Sequence, residues 1–125
     1  MFKKILPCLL LPLLFAGCAA QITNLTPGRF VRNENNLYPF EVAFKSRQQS
    51  LRWDSIQPSV VVGTNFFPMQ PTALMKNRWE TLIPVPPTAS NLVYRYRFDF
   101  KYNAMYEPQP DSVMSQDYFL QIMDK

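Results

Sequence analysis

The sequence predicts a single all-β domain, an antiparallel β-sandwich of about seven strands that follows a short removable leader. Three observations carry this expectation. Residues 91–103, NLVYRYRFDFKYN, place apolar side chains at every even position from Leu92 to Tyr102 and charged ones at Arg95, Arg97, Asp99 and Lys101, the period of a strand with one buried and one wet face. Shorter segments rich in Val, Ile, Phe and Tyr recur on both sides of it, separated by turn residues. Ten prolines and two glycines punctuate the chain after residue 17, which favours many short segments over long helices.

The leader comes first. Met1-Phe2-Lys3-Lys4 is basic, Ile5 to Phe15 carries no charge, and Ala16 and Gly17 are small. Basic, apolar, then small is the layout of a secretory signal peptide. The apolar run is about half of the roughly 20 residues a membrane-spanning helix needs. Pro7 and Pro12 interrupt it, and each removes a helix donor.

The strands follow in order. Ile22-Thr23-Asn24-Leu25 is a weak first strand, and Asn33 to Asn36, NENN, is a turn. Tyr38 to Phe44 alternates. Ser46 to Asp54, SRQQSLRWD, is polar around Leu51 and Trp53 and reads as a connection or one turn of helix. Ser59 to Gly63 is a short apolar run, followed at hairpin distance by Asn65 to Met69. Arg78 to Val85 is another strand, in which Pro84 indicates an edge or a bulge. In residues 91–103 the even positions Leu92, Tyr94, Tyr96, Phe98, Phe100 and Tyr102 face the core, as Trp79 does, while Arg95, Arg97, Asp99 and Lys101 face solvent. Tyr106 to Ser115, YEPQPDSVMS, holds two prolines and reads as a long loop, and Asp117 to Asp124 is the last strand.

Two resemblances refine this reading. Phe15-Ala16-Gly17-Cys18 resembles the lipobox of bacterial lipoproteins, with Phe15 where leucine is usual and Leu14 one step earlier. The resemblance implies cleavage before Cys18, lipidation of its thiol and a permanent membrane anchor. Ala19 is not the aspartate that marks inner-membrane retention in some Gram-negative bacteria, so the implied address is the outer membrane. The chain then divides into a signal peptide over 1–17, a lipidated tether over 18–21 and a domain over 22–125. In that domain, Ile22-Thr23-Asn24-Leu25-Thr26-Pro27 and Tyr94 resemble fibronectin-type and related bacterial immunoglobulin-like domains. This implies an immunoglobulin-like sandwich with Tyr94 as its tyrosine corner. The stretches YPFEV, VVVG, PMQPT and NRWETLIPVP resemble small uncharacterised bacterial lipoproteins, which bring no activity with them.

Composition narrows the function classes. Removing residues 1–17 from the 125-residue chain leaves 108, enough for one domain with a real core. The loss of Lys3 and Lys4 lowers the net charge from +4 to +2, too little to point to nucleic acid. Cys8 leaves with the leader and Cys18 carries lipid, so no thiol remains for a disulfide. There is no histidine, so the usual general base and the commonest metal ligand are missing together. No cofactor, metal or catalytic residue is expected. Glu41, Glu80 and Asp99 read as solvated charges facing Arg95, Arg97 or Lys101 across strands. Asn24-Leu25-Thr26 has the form of a glycosylation acceptor, which carries little weight in a bacterial lipoprotein.

Three sets of side chains are candidates for binding. Trp53, flanked by Arg52 and Asp54, and the loop residue Tyr106 have the chemistry of a ligand site; capping the end of the sandwich is the plainer role for Trp53. Arg95, Arg97 and Lys101 form a basic face suited to lipid phosphates or an acidic partner, or simply to solvation. The 106–115 loop, with Tyr106 and Met114, is a docking surface for a partner. The expected protein is a lipoprotein anchored in the membrane through Cys18. Its sandwich is a non-catalytic module that binds a protein partner as an accessory subunit of an envelope complex. The alternative is a carbohydrate-binding lipoprotein whose glycan site is built on Trp53 and neighbouring loops.

Overall fold

The computed structural model describes residues 20–124; Cys18 and the leader lie outside them. Ten strands run in chain order: β1 (Ala20–Asn24), β2 (Arg29–Val31), β3 (Leu37–Ser46), β4 (Leu51–Val62), β5 (Asn65–Pro68), β6 (Gln70–Pro71), β7 (Arg78–Pro84), β8 (Asn91–Tyr102), β9 (Gln109–Met114) and β10 (Tyr118–Met123). There is no helix among the described residues. One sheet has the order β1-β3-β7-β6 and the other β2-β10-β8-β4-β5, with β9 also on β8. This is the strand order of an immunoglobulin sandwich, with β1, β3, β7 and β6 in the A, B, E and D places and β4, β8 and β10 in the C, F and G places.

The seven expected strands are all present, and the structure adds to them. SRQQSLRWD is not a connection or a turn of helix throughout, because β4 begins at Leu51 and already pairs with β8 at Tyr102. YEPQPDSVMS is not one long loop: Gln109 to Met114 pair in register with Tyr102 to Arg97. The sheets are also not wholly antiparallel, since β2 runs parallel to β10. That pair arises because the chain crosses from one sheet to the other between β1 and β2.

A large irregularity in β4 positions Trp53. Between the pairs Arg52↔Lys101 and Gln57↔Asp99, the residues Trp53 to Ile56 stand opposite Phe100 alone. The Ser55 hydroxyl fills the broken ladder, accepting from the Lys101 N–H at 2.8 Å and donating to the Arg52 carbonyl at 2.6 Å. The bulge turns Ile56 into the core and leaves Trp53 half exposed.

With no disulfide to join them, β3 and β8 are held across the sandwich by rings. Phe44 stacks on Phe98 with centroids 4.6 Å apart. Trp79 meets Phe98 edge-on at 5.7 Å, and Phe40 meets Tyr94 in the same way at 4.9 Å. Tyr94, Tyr96, Phe98 and Phe100 are all buried, as is Trp79, so the even-numbered face of β8 is the core face.

The two core tyrosines of β8 need polar partners, because an unpaired buried hydroxyl is costly. Tyr94 accepts a hydrogen bond from the Asn24 side-chain amide at 2.9 Å. Tyr96 donates to Asn24 Oδ1 at 2.6 Å, and its oxygen lies 2.8 Å from Thr26 Oγ1. Thr26 Oγ1 also accepts from the Glu41 N–H at 3.0 Å, while the Thr26 N–H closes an Asx turn on Asn24. Tyr94 is therefore not a tyrosine corner bonding back to backbone a few residues upstream. It belongs to a polar clamp that ties β8 to the chain just after β1. Burial raises both tyrosine pKa values above the ordinary phenol range. The Asn24-Leu25-Thr26 acceptor sequence has its two polar side chains engaged in this clamp.

Candidate functional site

The two sheets present different outer faces. On the four-stranded sheet, register places Pro39 beside Leu82, Glu41 beside Glu80 and Ala43 beside Arg78. Arg78 Nη2 reaches Glu41 Oε2 at 2.5 Å, which relieves the opposition of two carboxylates. Glu80 enters none of the ion pairs among the described residues, and Leu82, beside Pro39, is exposed, so this face mixes charged and apolar side chains.

The outer face of the six-stranded sheet is built from the odd positions of β8 and their neighbours. Val93 lies opposite Phe119 of β10, and Arg95 lies opposite Val61 of β4, which in turn faces Phe66 of β5. Arg97 lies between Ser59 of β4 and Met114 of β9. Farther along, Met123 of β10 pairs with Val31 of β2. Phe119 is 73% exposed, and Val31, Phe66, Val93, Met114 and Met123 are all exposed too. Val61 is buried although it points to the outer face. A monomeric sheet face that points to solvent ordinarily carries polar residues at such positions, so a row of exposed apolar side chains marks a surface that gains by being covered.

The basic residues expected on this face are there, but they do not form an unbroken stripe. Arg95 is exposed and enters none of the ion pairs among the described residues. Arg97 is engaged by Asp99, Nε to Oδ1 at 3.2 Å. Lys101 lies opposite Arg52, whose own partner, Asp54, is 4.0 Å away. Around them a shallow depression is lined by Arg52, Asp54, Gln57, Asp99, Lys101 and Asp111.

The proposed ligand trio is not brought together. Trp53 makes its one ring contact with Phe44, at 6.2 Å and steeply inclined, so its inner edge closes the core while the rest meets solvent. Tyr106 is 93% exposed in the 103–108 connection and makes no ring contact among the described residues. Arg52 leans toward Asp54 rather than toward either ring. Among the described residues no cluster of three or more His, Cys, Asp or Glu is placed to hold a metal ion. Cys18, the lipidation candidate, lies outside the described residues.

Sequence reasoning missed the apolar row because its members come from five separate strands. The one signal available was that Val93 and Phe119 are large apolar residues at positions whose alternation points them outward. No protein-family model matches this chain, and no curated protein matches it significantly.

Proposed function

We propose that the protein is a lipoprotein anchored in the outer membrane through Cys18. Its immunoglobulin-like sandwich serves as a non-catalytic interaction module, an accessory subunit of a cell-envelope complex. The anchor rests on the run Phe15-Ala16-Gly17-Cys18 that closes the apolar leader. Because β1 starts at Ala20, one residue, Ala19, stands between Cys18 and the first strand. So short a link keeps the domain beside the membrane, within reach of envelope proteins and little else.

The observation that carries the interaction reading is the apolar row Phe119, Val93, Phe66 and Met114 around Arg95, contributed by four strands of one sheet. The fitting partner is a protein surface with an apolar centre and an acidic group opposite Arg95. A glycan site has less support, because Trp53 is turned edge-on against Phe44 and no second exposed ring joins it into a platform.

Co-purification of the tagged chain from its own envelope tests the reading. Val93→Asp and Phe119→Asp, both at exposed positions, are expected to keep the fold and to lose a recurrent protein that the parent chain captures. Leu82→Asp, on the outer face of the other sheet, is expected to retain it. If the parent chain captures no recurrent protein, while Trp53→Ala abolishes retention on envelope polysaccharide, the glycan reading replaces this one.

A further inference from the structure

One end of the sandwich gathers the start of β1 and three connections. Ala20 pairs with Ser46, the last residue of β3, so the 47–50 turn leaves from the point where the described chain starts. The Asn103 N–H donates to the Ser50 carbonyl at 2.7 Å, which brings the 103–108 connection to the same end. The Phe44 N–H donates to the Asn77 carbonyl at 3.0 Å, which brings the 72–77 connection there too.

These connections hold an unusual set of side chains. Every exposed large hydrophobic residue outside the strands, among the described residues, is in two of them: Leu74, Met75, Met105 and Tyr106. Leu74 and Met105 are 102% and 88% exposed. Leu74 is also held at a φ of 65°, a left-handed conformation that costs a leucine but not a glycine. Neither solubility nor backbone preference explains a leucine there. Exposed Lys45, Arg47 and Lys76 surround these tips and enter none of the ion pairs among the described residues. The three connections contain a single carboxylate, Glu107.

At the opposite end the connections carry no exposed large apolar residue, although Val31 and Leu37, the strand residues that flank 32–36, are exposed. The 25–28, 32–36 and 85–90 connections meet there through Gln121 N–H to Gly28, Val85 N–H to Asn36 and Ile122 N–H to Ser90. Their exposed residues are polar or proline and glycine, and Arg32 ties Pro87, Ala89 and Asp124 together.

We propose that the Ala20 end of the sandwich rests on an anionic lipid surface. Leu74, Met75, Met105 and Tyr106 enter the headgroup boundary, and Lys45, Arg47 and Lys76 lie against lipid phosphates. Apolar tips ringed by cations are the composition that binds a bilayer interface. The inference builds on the Cys18 anchor, because Cys18 precedes Ala20 by two residues, about 7 Å of extended chain, and so fixes which end faces the membrane. The docked domain stands upright, with the apolar outer face of the six-stranded sheet turned sideways and open to a partner.

The test uses the full chain, isolated from its membrane and reconstituted in vesicles of phosphatidylethanolamine and phosphatidylglycerol. An environment-sensitive fluorescent amino acid replaces Leu74, Tyr106 or, at the far end, Asn35. The expected result is loss of most of the emission at positions 74 and 106 when the lipids carry a quencher high on the acyl chain, with no loss at position 35. Lys76→Glu with Arg47→Glu, probed at position 106, is expected to reduce the quenching. Leu74→Gly, also probed at position 106, is expected to reduce it while leaving the thermal midpoint unchanged or higher. Equal quenching at all three positions, or none at any, overturns the docking. The mass of the N-terminal peptide reports the anchor separately. If Cys18 carries no acyl group the anchor reading fails, and the same chain added to the vesicles from solution then decides the docking by whether positions 74 and 106, but not 35, lose emission.

Discussion

Thr26 is the one buried polar residue among the described residues, and it shows how a single hydroxyl joins distant parts of the chain. It accepts from the Glu41 N–H and lies within hydrogen-bond distance of Tyr96, 70 residues away in sequence. Thr26→Val keeps the volume but strands the Glu41 N–H and removes one of the groups on the Tyr96 hydroxyl, which keeps Asn24, so it is expected to destabilise the fold by about 1–3 kcal/mol in chemical denaturation. The clamp also predicts a pH dependence. Burial raises the pKa of Tyr94 and of Tyr96 above 10.0, the value they regain on unfolding. The folded state therefore holds these protons more tightly. Its advantage is complete below about pH 10 and is lost as pH rises from there through the folded values. Denaturation midpoints are expected to fall above about pH 10, less steeply in Tyr96→Phe; an equal fall in that variant contradicts the assignment. The sequence announced the inward aromatic face of β8 but not the clamp, because Asn24 and Thr26 read locally as a glycosylation acceptor. Only the packing of the chain after β1 against β8 reveals what they bond to.

Among the elements, legibility followed exposure. β8 alternates cleanly since one face is buried along nearly its whole length. β9 has only Val113 packed against the core, so it shows no period, and its pairing on β8 is invisible in YEPQPDSVMS. β2 and β6 span three and two residues, too few for any period to register. The start of β4 was hidden for another reason: the bulge at Trp53 to Ile56 breaks the alternation where a reader would look for it. There Ser55 Oγ substitutes for a backbone group of the ladder. Ser55→Ala leaves the Lys101 N–H and the Arg52 carbonyl without that partner. It is expected to cost about 1–2 kcal/mol and to speed amide exchange at Lys101. Unchanged exchange at that amide would show that the hydroxyl does not bridge the strands.

At the scale of the molecule, sequence and structure divide the work differently. The sum of short strands and the absence of helix pattern led to the sandwich, and the strand order confirms its class. The anchor reading comes only from Leu14 to Cys18, outside the described residues. The apolar outer face was illegible in advance, because Val93, Phe119, Phe66 and Met114 become neighbours only once β5, β9 and β10 take their places around β4 and β8. The apolar outer face, the mixed face opposite and the apolar, cationic tips beside Ala20 give the molecule three distinct surfaces. The account assigns them to a protein partner, to solvent and to lipid.

The most direct measurement places a photo-crosslinking amino acid at Phe119, or at Leu82 on the opposite outer face, in the chain expressed in its own envelope. The account predicts one recurrent protein adduct from position 119 and none from position 82. Equal labelling from both faces, or no protein adduct from position 119, would contradict the assignment of the six-stranded sheet as the interaction face.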